Sequence, residues 1–205
     1  MSMFVTLCAE ATELFPRQGS HLADSSLTAQ RAMDSFLAEV ERKAFRMAQI
    51  ALRHEQDALD AVQDAMLKLV RSYAGRPPAE WRPLFYRILE NCIRDLQRRR
   101  TVRGRVMAWL PFQDDGDEDA DPIATAPDHA PGPQAQLQGQ ELMAAIEAAL
   151  GGLPARQRQA FLLRNFEGLD VAATAAAMGC SEGSVKTHYF RAVQELRQQL
   201  GEFWT

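Results

Sequence analysis

The chain has 205 residues, of which 46% are hydrophobic and 24% charged, enough for one domain or two small ones. That balance excludes a collagen, a wholly disordered chain and a disulfide scaffold. No apolar run is long enough to span a bilayer, and the N-terminus lacks the basic start and apolar core of a secretory leader. Cys8, Cys92 and Cys180 lie far apart without metal-ligand spacing, which suits a reducing, cytoplasmic setting. The formal net charge of −4 is unevenly spread: −2 over residues 1–30, +6 over 31–105, −7 over 106–140 and −1 over 141–205. A basic block, an acidic stretch without one basic residue and a near-neutral block predict two domains and a linker.

Residues 1–32 show weak periodicity and a polar patch from Arg17 to Ser26, and are expected to form a poorly ordered extension. A chain beginning at Met33 would retain everything that follows. Residues 33–105 predict three helices. Leu37, Val40, Ala44, Met47 and Ala51 recur at helical steps, as do Leu59, Val62, Met66, Leu69 and Tyr73, then Phe85, Leu89, Cys92 and Leu96. Gly75, Pro77 and Pro78 separate the second helix from the third, and Pro83 suits the third helix's first turn.

Residues 106–140 hold the run DDGDEDADP followed by Pro127, Pro131 and Pro133, and predict a solvated, flexible acidic linker. Residues 141–200 predict four helices. Leu142, Ile146 and Ala149 mark the first, which ends at Gly151-Gly152. Pro154 opens the second and Gly168 ends it. Asp170 caps a short alanine-rich third that Gly179 closes, and Ser181 caps the fourth. No run alternates with period two, so an all-α fold is expected.

The last two helices have the spacing of a helix-turn-helix. In the final one, Val185, Tyr189, Ala192 and Leu196 step by four, three and four and should face inward. Lys186, Thr187, Phe190 and Arg191 fall on the other side near the helix start, where a recognition helix meets base edges in the major groove. An ordinary amphipathic helix would also satisfy this spacing.

The stretch from Leu153 to Leu200 resembles region 4 of a bacterial sigma factor, above all the extracytoplasmic-function (ECF) group of the sigma-70 family. The residues that carry the likeness are Leu153-Pro154, Arg158, Phe161 to Leu163, Glu167-Gly168-Leu169, Met178 to Ser181, Gly183 to Lys186 and Arg191-Ala192. Where the family has Glu-Ile-Ala this chain has Ala173-Thr174-Ala175, which puts a hydroxyl at a core position. The run DALDAVQDAMLKLVRSY resembles region 2.2, and the resemblance implies that Asp60, Gln63 and Asp64 dock on the β′ clamp helices of RNA polymerase. The run LFYRILENCIRDLQRRR resembles regions 2.3 and 2.4, which melt and read the −10 promoter element. Arg87, Asn91, Arg94 and Arg98 form a polar stripe there, opposite the apolar one. An asparagine can bond an unpaired base and arginines can hold phosphates, while Trp81 could stack on a base. Arg98 to Arg100, Arg103 and Arg105 extend the basic character.

The resemblance implies a region 2 domain over 33–105, the linker over 106–140 in place of region 3, and a region 4 domain over 141–200 binding the −35 element. It also implies two protein partners, core RNA polymerase (β′ clamp helices and β subunit) and an anti-sigma factor, with no membrane insertion of the chain's own. A response-regulator type helix-turn-helix would share only the last two helices. A metal enzyme built on Asp114 to Asp121 would lack a frame to hold coordination geometry. His21, His54, His129 and His188 are scattered, and no nucleophile–base pair or phosphate loop is present. No enzymatic activity, cofactor or metal is expected.

Overall fold

The computed structural model describes residues 20–107 and 133–201, with side chains over 27–102 and 142–201. Seven α-helices and no strand lie among the described residues: α1 (Ser20–Leu52), α2 (Glu55–Tyr73), α3 (Pro78–Met107), α4 (Pro133–Gly152), α5 (Ala155–Phe161), α6 (Val171–Met178) and α7 (Glu182–Gln199).

Helices α1 to α3 pack side by side. Val40, Ala44, Met47 and Ala48 of α1 are buried against Ala61, Val62, Ala65, Met66 and Leu69 of α2 and Phe85, Leu89, Cys92 and Ile93 of α3. Leu59 departs from the expected stripe and is 37% exposed. It lies two residues from Ala61, about 200° around the helix, so it points away from the Ala61–Ala65–Leu69 line. A break at Arg53, whose φ is 51°, separates α1 from α2. His54 then caps α2, its Nδ1 accepting the Asp57 backbone N–H at 3.2 Å.

Four expected boundaries move. Helix α1 begins at Ser20, so the part of the expected extension from residue 20 to 32 is helical. Helix α3 begins at Pro78, which takes the first-turn place expected of Pro83. Pro83 sits inside the helix and leaves the Ala79 carbonyl without its usual donor. Helix α4 begins at Pro133, inside the expected linker, and α3 runs to Met107. Residues 108–132, which include the acidic run, lie outside the described residues.

In the second unit every cap read from the sequence is in place. Ala173 N–H donates to Asp170 Oδ1 at 2.7 Å, and Ser184 N–H donates to Ser181 Oγ at 3.2 Å. Gly179 closes α6 at φ 61°, a left-handed conformation that favours glycine. Helix α5 continues into one wide π turn, Leu162–Phe166, in which Glu167 N–H bonds the Leu162 carbonyl at 3.0 Å. The wide turn throws Glu167 inward and ends at Gly168, whose φ is 78°. Thr174 is fully buried, and its hydroxyl donates to the Asp170 carbonyl at 2.6 Å, so the core hydroxyl is satisfied. The alanines of α6 leave room for α7 to cross closely.

The two units share one continuous core. Helix α6 lies along α3 and α4 lies against α1, so Leu162 and Leu163 meet Met47, Tyr86 and Leu89.

Candidate functional site

Three polar surfaces were read from the sequence, and the fold gives each a different setting. The first is the start of α7. Val185, Ala192 and Leu196 are buried at 1%, 0% and 5% exposure, and Tyr189 is half-buried, its ring stacked on Phe161 at 6.2 Å between centroids. Its hydroxyl donates to Asn165 Oδ1 at 3.1 Å, tying α7 to the turn after α5. Lys186, Thr187, Phe190 and Arg191 are all exposed, Phe190 by 60%. Five residues separate Lys186 from Arg191, about 140° of arc, with the other two between them. The Thr187 hydroxyl donates to the Gly183 carbonyl at 3.0 Å, which leaves its methyl group outward and its oxygen free to accept. A phenylalanine held this far out gains nothing from the core; it is available to another surface. The arrangement offers two cations, one apolar ring and one methyl on a single helix face.

The second surface is on α2. Asp60, Gln63 and Asp64 are all exposed on one face. Beside them lies a surface groove of about 320 Å³, lined by Leu59, Val62 and Gln63 of α2 and Phe45, Arg42 and Glu41 of α1. The exposed Leu59 therefore belongs to an apolar floor with an acidic, hydrogen-bonding rim.

The third surface is the stripe on α3. Arg87, Asn91, Arg94 and Arg98 are exposed. Arg94 donates to Asn91 Oδ1 at 2.8 Å, which turns the Asn91 amide N–H₂ outward as a free donor. Arg87 does not face open solvent on every side: a Cβ built on Gly179 would lie 3.6 Å from its guanidinium. Two expectations at this surface are corrected. Trp81 is 3% exposed and packs against Phe36 at 5.8 Å between centroids, so it has no free face on which a base could stack. Arg100 is tied back, its Nε 2.5 Å from Asp57 and its Nη1 donating to the Leu52 carbonyl at 3.2 Å. It closes the α1–α2 corner rather than extending the basic tail. The side chains of Arg103 and Arg105 lie outside the described residues.

The sequence reading passed over a fourth cluster. Glu167 is buried, its side chain fully enclosed, between an ion pair with Arg82 and one with Lys43 at 3.5 Å. Arg82 also bonds Glu39 at 2.6 Å and lies over the Phe36 ring at 5.6 Å. Burial, with Glu167 next to it, pushes the Tyr86 hydroxyl far above its ordinary range, so it keeps its proton. Nothing local marks Glu167 as buried, because its partners are 85 and 124 positions away in the chain. Cys92 is a core group: burial pushes its thiol up, and Lys68, donating to it at 3.3 Å, pulls it partly back. Among the described residues no group of histidines, cysteines and carboxylates is placed to hold a metal ion. No helix among them is long and apolar enough to cross a membrane.

Comparison with known proteins adds the family context. The family described as "Sigma-70, region 4" matches residues 143–196. The ECF RNA polymerase sigma factor SigE of Mycolicibacterium smegmatis is 32% identical over 177 residues, covering 84% of this chain and 64% of SigE, so the chain spans under two thirds of that relative. The ECF RNA polymerase sigma factor SigM of Mycobacterium tuberculosis is 32% identical over 171 residues, covering 83% of this chain and 78% of SigM. Among solved structures, the sigma factor RpoE of Bartonella quintana, co-crystallised with the anti-sigma factor NepR, has a similar fold. Its TM-score is 0.56 at 24% identity, over 82% of this chain and 97% of RpoE.

Proposed function

The chain belongs to the ECF group of RNA polymerase sigma factors, and we propose that it binds core RNA polymerase and directs promoter-specific initiation. The observation that carries this reading is the α7 face. Lys186, Thr187, Phe190 and Arg191 stand exposed together on a helix whose opposite side is buried and whose start is capped by Ser181. Such a face fits the major groove of the −35 element, the cations reaching guanine O6 and N7 and the apolar groups a thymine methyl.

The α3 stripe supplies the second DNA contact. Arg87 and Arg94 hold phosphates of the melted −10 strand, and the outward amide of Asn91 bonds an unstacked base. The α2 face docks on the polymerase. Asp60, Gln63 and Asp64 meet a basic partner helix, such as the β′ clamp helices, whose apolar residues fill the groove at Leu59 and Val62. The α4–α7 unit rests on the β subunit. Residues 33–105 act as the region 2 domain and 141–200 as the region 4 domain, across the acidic linker. The protein works in the cytoplasm, has no catalytic step of its own and needs no cofactor. An anti-sigma factor is its second protein partner, as NepR is for RpoE.

The test is run-off transcription of genomic DNA fragments by core polymerase with and without the purified protein, followed by mapping of start sites. New starts sharing two sequence blocks are expected. Initiation no better than that of core polymerase alone would defeat the reading.

A further inference from the structure

The two units that should read DNA elements far apart are locked face to face. By their numbering, the −10 and −35 elements lie about 25 base pairs apart, or about 85 Å of duplex. In the closed chain, α6 lies along α3, and the turn that presents α7 touches Arg87, the first residue of the −10 stripe. Helix α7 is 18 residues long, about 27 Å. Its reading face therefore cannot sit on one element while α3 sits on the other. Residues 108–132 are 25 residues long and reach at most about 85 Å. The chain can thus separate its two units without unwinding α3 or α4.

We propose that Glu167 is a latch that holds the chain in a closed state unable to bridge both promoter elements, by pairing across the interface with Arg82 and Lys43. Its carboxylate comes from the second unit and both cations come from the first. It is the most enclosed charge at the interface, with no exposed side-chain surface. A carboxylate so placed is stable only while its partners stay, so the contact is made or lost as a unit. Two flanking contacts follow the same seam: Arg46 pairs with Glu147, and Arg53 donates to the Ala148 carbonyl at 3.5 Å. The Arg53 guanidinium lies over Gly151, 2.6 Å from where a Cβ would stand. Arg82 also holds Glu39 and the Phe36 ring, which keeps it aimed at Glu167 rather than at solvent. The α2 groove and the α3 stripe stay exposed in the closed chain; what closure denies is the simultaneous contact of α3 and α7 with two elements about 85 Å apart.

The masking part of this inference rests on the reading of α3 and α7 as DNA-contacting faces; the latch itself does not. The experiment is energy transfer between dyes placed through non-canonical residues at Ser72 and Gln194, both exposed, in the full chain without polymerase. Glu167→Gln keeps the side-chain volume and removes the charge; Lys43→Ala with Arg82→Ala removes the same contact from the other unit. Both variants are expected to lose transfer efficiency while keeping the helical circular dichroism of the parent. Should Glu167→Gln lose helicity, the Lys43/Arg82 pair decides. An unchanged distance with helicity retained overturns the latch.

The second arm measures affinity for a promoter duplex recovered by start-site mapping. Apparent affinity should rise by the factor by which the open fraction rises, so a change from about 10% to about 50% open gives about fivefold. A longer distance with unchanged affinity overturns the masking. Failure of the sigma reading would show instead in the transcription assay with the unaltered chain, which does not depend on the latch variants.

Discussion

Arg191→Ala isolates one side chain at the proposed −35 contact. Arg191 is exposed and its side chain makes no ion pair or hydrogen bond among the described residues, unlike Arg82 or Arg100, which close internal contacts. Its removal should leave the fold within about 0.5 kcal/mol of the parent, the usual range for a surface substitution. Binding should respond differently. Arg191 lies on the same α7 arc as Lys186 and close to the apolar Phe190. A bidentate contact to a guanine there is worth about 1–3 kcal/mol, a loss of about fivefold to 150-fold in affinity. Binding to unrelated duplex uses phosphate contacts alone, and each costs little sequence information. The measurement is a pair of titrations, promoter duplex against scrambled duplex, at one fixed salt concentration, with thermal melting as the control for folding. A selective loss on the promoter duplex is expected. An equal loss on both would make Arg191 a phosphate anchor and leave base reading to Lys186 and Thr187.

Three further outcomes follow from other parts of the structure. Asp60→Arg combined with Gln63→Ala should weaken binding to core polymerase, by repulsion at the rim of the α2 groove, while −35 duplex binding is retained; unchanged polymerase affinity would remove α2 from the docking surface. Val185→Asp should unfold the α4–α7 unit by several kcal/mol, since Val185 is 1% exposed and no cation among the described contacts reaches it; a native melting curve would refute this. Glu90 carries a pH signature. Burial holds its carboxyl above the ordinary value of 4.5, against the pull of Arg94, Arg158 and Arg156. A native pKa above the unfolded one means that the native state keeps the extra proton. The contribution to stability is therefore present below 4.5 and lost as pH rises through the elevated pKa. The melting temperature of Glu90→Gln relative to the parent should climb as pH rises from 4 toward 8, and a flat or falling difference would refute the reasoning.

Local chemistry was legible and distant pairing was not. Ser181, Asp170 and Gly179 could be placed because a cap needs only a short polar side chain or a left-handed glycine at a fixed offset from the helix. The two faces of α7 could be placed because the helical period alone separates Val185 from Lys186. Leu59 was misplaced for a related reason: Val62, Met66 and Leu69 of the expected stripe are buried, but at the start of the helix the small Ala58 and Ala61 take the core side in place of Leu59. Trp81 was misread because an aromatic residue near a basic stripe suits a base as well as it suits Phe36. Only the packing partner decides.

The closed seam was beyond the reach of the sequence for a physical reason. Arg82, Tyr86 and Arg87 lie within six residues on one helix, and of the three the sequence reading assigned a role only to Arg87. In the fold they divide. Arg82 and Tyr86 turn toward Glu167 and are committed to the other unit. Arg87 stays at the edge, exposed yet against Gly179. A helix of this kind presents one face to the core, one to a partner domain and one to solvent, but hydropathy distinguishes only the first. The second face is made of groups that are polar enough for water and are buried only when the opposite charge arrives. That dual character lets such a seam open: when the units part, Glu167, Lys43 and Arg82 each regain water, which offsets part of the lost pairing. A seam made only of leucines would hold the two units together whatever the DNA offered. This seam joins an apolar contact of Leu162 and Leu163 with Met47 and Leu89 to a buried ion pair, and the ion pair is the part that can be exchanged for a polymerase surface or a phosphate backbone. The same guanidinium chemistry that closes the chain at Arg82 is the chemistry that Arg87 and Arg94 would offer to DNA.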